Sequence, residues 1–324
     1  MKVAVYYKNN DVRLEERPKP QIGVGEILVK MAASGICGTD VMEWYRIKKA
    51  PRVLGHEMCG DVVESKSYKF SVGQRVFVSH HVPCNECKYC KDGNHTACET
   101  LHTGNFDPGG FSEFVRVPEI NVENGTYVLS GISYEEGTVI EPLACVVRAQ
   151  RIIGVREGDT VLIMGCGFSG LLNIQLAKMN KANVIATDIN EYRMGKAKEL
   201  GADSVVHAND LKNIKADKII MCTGAMLAFE QAFQRIDRKG VILYFSIPEK
   251  KISIPVVDFW RNEISIVASY VAGPIDLEES LELIKEGKIN VKALITHRLK
   301  LDDIQQGFML AEKGGETLKV VIHA

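Results

Sequence analysis

The chain has 324 residues, 46% of them hydrophobic and 25% charged, which is the profile of a globular protein long enough for two domains. Its formal net charge of −1 gives no reason to expect nucleic-acid or membrane-surface binding. The start, Met1 to Tyr7, reads as a strand without the features of a secretory signal, and the longest apolar run, 160–178, is broken by glycines and Asn173 and so does not read as a membrane span; a cytoplasmic protein is expected.

Residues 3–7 and 26–32 read as strands, separated by Pro18, Pro20, Gly23 and Gly25. Ser34-Gly-Ile-Cys37-Gly-Thr39-Asp40 follows. Glycines flank Cys37, so a turn could present its thiol, although alone it reads more simply as a small core residue. In Leu54-Gly-His56-Glu57-Met-Cys-Gly60 a histidine and a glutamate stand side by side between glycines. Thiolate, imidazole and carboxylate are the ordinary zinc ligands, and three of them with an open fourth position is the catalytic arrangement. Cys59 carries no pattern and reads as core. Another strand is expected over 73–79, and His80 and His81 come next.

The sharpest local signal is Cys84-x-x-Cys87-x-x-Cys90-x7-Cys98. Of nine cysteines, an odd number, these four are bunched, which points to metal or catalysis rather than disulfides. Four thiolates at this spacing suit a closed tetrahedral zinc site, with an iron–sulfur cluster as the rival. The residues between them are polar and cannot bury a core, so a metal would supply the folding energy. A loop over Gly104–Gly110 and an alternating strand over 111–117 follow. Glu141-Pro142 lies in an apolar run. It is either a helix start or a carboxylate aimed at the metal of Cys37 and His56.

From about residue 160 the pattern alternates strand and helix. A β-rich run ends in Gly165-Cys-Gly167-Phe168-Ser169-Gly170 and then a helix. This is the G-x-G-x-x-G order, in which the first glycine permits the tight turn, the second lets the backbone approach a pyrophosphate, and the third lets helix pack on strand. The motif is weak alone. A second strand, 183–187, ends at Asp188, about 20 residues on, where a carboxylate takes the ribose hydroxyls of NAD and repels the 2′-phosphate of NADP. NAD is therefore favoured, with Arg193 nearby keeping NADP open. A helix over 190–200 and strands at 204–207, 217–222 (ending at Thr223), 240–245 and 264–270 complete a doubly wound parallel sheet. Helices are expected over 276–286, with Asp276 as its cap, and over 301–313. A strand follows at 318–322. These last elements do not continue the alternation and are expected to rejoin the first domain.

In this order, G-I-C-G-T-D at 35–40, G-H-E-x-x-G at 55–60, the four cysteines, E-P-L-A at 141–144 and the glycine turn resemble the zinc-dependent medium-chain dehydrogenases/reductases over essentially the whole chain. The similarity is strongest to the sorbitol, threonine and glucose dehydrogenase branch. The resemblance implies a GroES-like β-rich catalytic domain (1–145), a Rossmann domain (146–272) and a C-terminal segment (273–324) completing the first. It implies two zincs, a catalytic one near Cys37, His56, Glu57 and Glu141 and a structural one on Cys84, Cys87, Cys90 and Cys98. The cofactor residues would be Gly165, Gly167, Phe168, Ser169, Gly170, Asp188, Arg193 and Thr223, in a homodimer or homotetramer. It further implies reversible oxidation of a secondary alcohol, such as a polyol or sugar, to its ketone, with Thr39 taking the hydroxyl proton. Two residues depart from the pattern: Met42 stands where many members have a proton-relay histidine, and Ser269-Tyr270 stands where polyol enzymes tend to have Arg-Tyr. An NADP-preferring carbonyl reductase and a non-catalytic nucleotide-sensing zinc protein are the alternatives. Trp44, Tyr45, Phe106, Trp260 and Tyr270 are candidate pocket walls, each read more simply as core.

Overall fold

The computed structural model describes residues 1–324 apart from Gly104 and Glu249, so the first residue of the expected 104–110 loop lies outside the described residues. The chain divides into two compact units. One is Met1–Ala144 with Val271–Glu286 and Val291–Ala324; the other is Cys145–Tyr270 with Gly287–Asn290.

The first unit is β-rich. A small sheet joins β1 (Lys2–Lys8), β2 (Asp11–Glu16) and β4 (Arg52–Val53). A larger one is built on β3 (Ile27–Ile36), which pairs antiparallel with β5 (Glu57–Ser65) and β7 (Phe114–Val117), while β6 (Arg75–Ser79) and β8 (Thr126–Val128) extend it past β5. Alternation along these strands sends Ile27, Val29, Met31, Met58, Val76 and Val78 into one core, as the period-2 geometry of a strand requires. The expected strand over 26–32 is longer in the structure because β3 continues through Gly35. A Cβ there would collide with the Glu57 carboxylate, so only glycine lets the strand pass.

The second unit is a six-stranded parallel sheet. Its strands are β9 (Thr160–Met164), β10 (Asn183–Asp188), β11 (Ser204–His207), β12 (Ala216–Met221), β13 (Ile236–Tyr244) and β14 (Ser265–Ala268). Their order is β11-β10-β9-β12-β13-β14, the doubly wound order that reverses direction at β9. Leu162, Met164, Ile219, Met221 and Ile242 pack against Phe229 and Ala232 of the helix Met226–Arg235. The expected helix over 190–200 is Glu191–Glu199, and the Asn190 side chain caps it by accepting from the Arg193 N–H.

The tail belongs to the first unit. The helix Pro274–Lys285 begins two residues before the expected cap. Asp276 is its third residue, and the carboxylate reaches back to accept from the Gly273 N–H at 2.7 Å. Proline at the first helical position sets that start. Strands β15 (Ile295–Lys300) and β16 (Lys319–His323) follow, and β16 pairs antiparallel with β3, Val320 opposite Ile36. Among the described residues no helix is long and apolar enough to cross a membrane.

Candidate metal centres and nucleotide turn

At the end of β3 the chain turns through Cys37, Gly38 and Thr39, and Asp40 closes the turn. Its N–H donates to the Cys37 carbonyl at 2.9 Å, and its Oδ2 accepts from the Cys37 N–H at 3.1 Å. The fully buried Oδ1 accepts from Arg46 Nη2 at 3.2 Å and lies 3.6 Å from His56 Nδ1. One carboxylate thus fixes the cysteine turn, an arginine and an imidazole. The donor atoms of Cys37, His56 and Glu57 all lie within 4.8 Å of one another. Thr39 Oγ1 donates to Cys37 Sγ at 3.4 Å and accepts from Arg46 Nη2 at 3.0 Å. Sequence reasoning gave Asp40 no part. The signal was there: an aspartate three residues after a turn cysteine can reach back to its backbone N–H, as the third residue of a capping box does.

Glu57 is fully buried and faces Lys319, whose Nζ donates to both carboxylate oxygens at 2.8 and 2.6 Å and to the Ile36 carbonyl at 3.2 Å. Withdrawing either charge would leave the other unpaired in a low-dielectric interior. Lys319 was also missed, because nothing in sequence links it to a residue 262 positions earlier. Glu141 stands in the first turn of the helix Ile140–Ile153, near enough for its charge to act on His56. Burial pulls the His56 pKa down, but Asp40, Cys37 and Glu141 outweigh it and raise the pKa to about 10. Beside it, burial holds His80 well below the ordinary histidine range, so its imidazole is neutral at pH 7.

Cys84, Cys87, Cys90 and Cys98 form a second cluster. Sγ separations are 3.6 Å for Cys87–Cys90, 3.6 Å for Cys84–Cys98 and 4.0 Å for Cys84–Cys90. Zinc–sulfur bonds of about 2.3 Å in a tetrahedron give edges of about 3.8 Å, so the cage fits one ion. A multi-iron cluster would hold the thiolates further apart. Backbone N–H groups of Glu86 and Cys87 donate to Cys84 Sγ, and that of Cys84 to Cys98 Sγ. Despite the cost of burial, such donors bring the Cys98 thiol down to about 6, whereas burial pushes Cys90 up to about 12.

In the second unit β9 runs into Gly165, whose φ is +98°. A Cβ at Gly170 would collide with the Gly165 carbonyl, so the helix can approach the strand only with glycine there. Gly167 caps the helix Phe168–Met179 with no side-chain cap hydrogen bond, and amides at such a helix start carry the partial positive charge that suits an anion. Asp188 closes the turn from β10. Its Oδ2 accepts from the Cys166 N–H at 2.6 Å, and its Oδ1 from those of Ile189 and Asn190 at 2.8 and 2.9 Å. Arg193 Nη1 lies 3.8 Å from where a Cβ on Gly167 would stand. Thr223, beyond β12, accepts from the Ala225 N–H. Among the aromatics, Phe106 is core and packs edge-on to His80, with ring centroids 4.9 Å apart. Trp44, Trp260 and Tyr270 are instead exposed, so the core reading fails for them.

Four thiolates around one ion would leave it no open position, which is the arrangement of structural rather than catalytic sites. An open Cys-His-carboxylate cluster, in a chain that also builds a dinucleotide-type sheet, is the equipment of a metal-dependent dehydrogenase. The comparisons agree. Residues 23–124 match the alcohol dehydrogenase GroES-like domain and 170–286 the zinc-binding dehydrogenase domain. A sorbitol dehydrogenase of Halalkalibacterium halodurans is 31% identical over 95% of this chain and 94% of its own. An alcohol dehydrogenase of Geobacillus stearothermophilus is 31% identical over 99% and 98%. The crystal structure of 2R,3R-butanediol dehydrogenase from Bacillus subtilis superposes with a TM-score of 0.86 at 28% identity, covering 100% of this chain and 99% of that one. The chain belongs to the zinc-dependent medium-chain alcohol dehydrogenase superfamily, with the GroES-like and Rossmann folds the sequence led us to expect.

Proposed function

We propose that the protein interconverts a secondary alcohol, of the polyol or sugar kind, and its ketone, with zinc at the open cluster and NAD as the hydride acceptor. The observation that carries this reading is the Cys37–His56 pair locked by the buried Asp40, with the Thr39 hydroxyl on the Cys37 sulfur. Cys37, His56 and Glu141 are assigned as the residues that hold the ion, since Glu57 is committed to Lys319 and acts behind them. Cys84, Cys87, Cys90 and Cys98 hold the structural zinc. When bound, the catalytic zinc supplies Lewis acidity that lowers the hydroxyl pKa of the alcohol.

The chain's own residues do the rest. Asp40 keeps the His56 ring oriented. Arg46 donates to Thr39 Oγ1 and holds it against Cys37 Sγ, from where that hydroxyl would turn to exchange a proton with the substrate oxygen while Met42 carries none. Asp188 braces the glycine turn, and its charge favours NAD because it repels a 2′-phosphate. A dimer or tetramer in the cytoplasm is part of the same reading.

The test is NAD reduction followed at 340 nm over polyols, aldoses, threonine and simple secondary alcohols, with NADP in parallel and zinc measured on the same sample. Turnover of a vicinal diol or sugar with NAD, at about two zincs per chain, is the expected result. Preference for NADP would overturn the role given to Asp188. A filled catalytic site with no turnover of any alcohol would overturn the reaction.

A further inference from the structure

Arg52 is a charge the proposed reaction does not use. It stands in β4 opposite Tyr6, four residues before His56, and its side chain is partly buried. It has no hydrogen bond or ion pair of its side chain among the described residues. Its electrical neighbours are Arg46, Asp40 and Tyr45, and its charge is felt by His80, whose ring centroid is 6.3 Å from that of His56. Burial and the like charge of Arg46 push its pKa down, yet a guanidinium keeps its proton at any ordinary pH.

The nearby carboxylates are already engaged. Asp40 is bound to Arg46 and faces His56. Glu43 accepts from the Asn9 N–H at 2.9 Å. Glu57 is held by Lys319. Arg46 spends Nε and Nη2 on Thr39 and Asp40. Arg52 is therefore left with no partner for its five donors among the described residues, close enough to Asp40 and His80 for its charge to act on both. A partly desolvated guanidinium in that state is costly until an oxyanion takes its fork. A neutral polyol offers hydroxyl groups, which do not cancel the charge.

We propose that Arg52, seconded by Arg46, binds an oxyanion on the substrate, so that the alcohol oxidised at this site also carries a carboxylate or phosphate, as sugar acids and sugar phosphates do. The proposal rests on the dehydrogenase reading above and narrows its substrate class. The reaction is otherwise unchanged: the carbinol C–H leaves as hydride to NAD, the O–H proton goes to solvent, and the anion takes no part in bond making.

The experiment compares kcat/KM for sorbitol, gluconate and sorbitol 6-phosphate, with their manno and galacto counterparts, in the zinc-loaded wild type, Arg52→Gln and Arg52→Lys. In the wild type an acid or a phosphate is expected to exceed its neutral partner at least tenfold. That ratio should fall at least tenfold in Arg52→Gln, through KM, and less in Arg52→Lys, which keeps the charge but loses the planar fork. The KM for the anion should also rise with ionic strength. Calorimetric binding of the better anion to the enzyme–NADH complex, where alcohol oxidation cannot proceed, should weaken in parallel. A carboxylate preference and a phosphate preference identify the two sources of the anion. Oxidation of neutral alcohols with no preference for either anion would overturn this inference and leave the reaction standing. Oxidation of no alcohol in any arm would overturn the reaction itself. An Arg52→Gln effect confined to the KM for NAD would assign the guanidinium to the cofactor and overturn the substrate claim.

Discussion

At the scale of single residues the candidate catalytic centre is governed by two buried carboxylates that face inward. Lys319 and Glu57, with side chains 2% and 0% exposed, cancel each other in a medium where neither charge is tolerable alone. Lys319→Met is expected to cost about 3–5 kcal/mol, because it strands a buried carboxylate. Adding Glu57→Gln should recover part of that loss. Denaturant unfolding of both variants checks this, and a single variant within about 1 kcal/mol of wild type would remove the pair from the structural account. Asp40 acts on His56 instead. In the metal-free fold the His56 pKa, raised to about 10, favours the charged imidazole. The stabilisation this brings is complete below the unfolded value of about 6.5 and is lost as pH rises through 10. Zinc needs the neutral ring and must displace that proton. Affinity at this site should therefore keep climbing between pH 7 and 9, about tenfold per unit for each proton displaced. In Asp40→Asn the slope should be shallower by about one proton. Competitive chelator titration reads both slopes, and equal slopes would mean that Asp40 does not hold the His56 proton.

At the scale of elements, what could be read from the sequence was what lies close together along it. The glycine turn, the strand before it and the acid after it belong to one local unit, and so do the four cysteines. The parallel order of the sheet followed from alternation. What could not be read depended on long-range pairing. Lys319 reaches Glu57 only because β16 returns beside β3, and no local pattern encodes that register. The helix Pro274–Lys285 was misjudged at its start because Asp276 can serve as a cap or as the third residue reaching back, and Gly273-Pro274 decides for the latter. Trp44, Trp260 and Tyr270 were misjudged because hydrophobic character alone does not tell a core face from an open one. The segment around Cys84–Cys98 is the element whose stability owes least to packing, since its buried cluster is only Cys90, Cys98 and Leu101 with a few partners. Cys90→Ser should reduce zinc from about two to about one per chain and open this segment to protease. The core around β3 and β5 should survive, as far-ultraviolet circular dichroism would register. Two zincs retained in the variant would show that the cage is not a metal site.

At the scale of the whole molecule, each compact unit carries its own core and its own chemistry: the metal clusters in the β-rich unit and the glycine turn in the parallel sheet. The turn is braced by Asp188 on Cys166, Ile189 and Asn190, and nothing in that brace involves a metal. Binding of the dinucleotide and loading of zinc should therefore separate. Chelation that strips the open cluster is expected to abolish alcohol oxidation while NADH still binds, as quenching of protein fluorescence or calorimetry would report. At 100 times its Kd, NADH should stabilise the stripped protein by about 2.7 kcal/mol, the value mass action gives for any ligand of the native state alone. Asp188→Ala should do the reverse. It releases three backbone donors at the turn, so NADH affinity should drop by roughly 1–3 kcal/mol, about five- to 150-fold, while the zinc content is retained. If the stripped protein lost NADH binding as completely as it lost activity, the two units would not be chemically independent, and the glycine turn would need the metal-loaded unit to form its site.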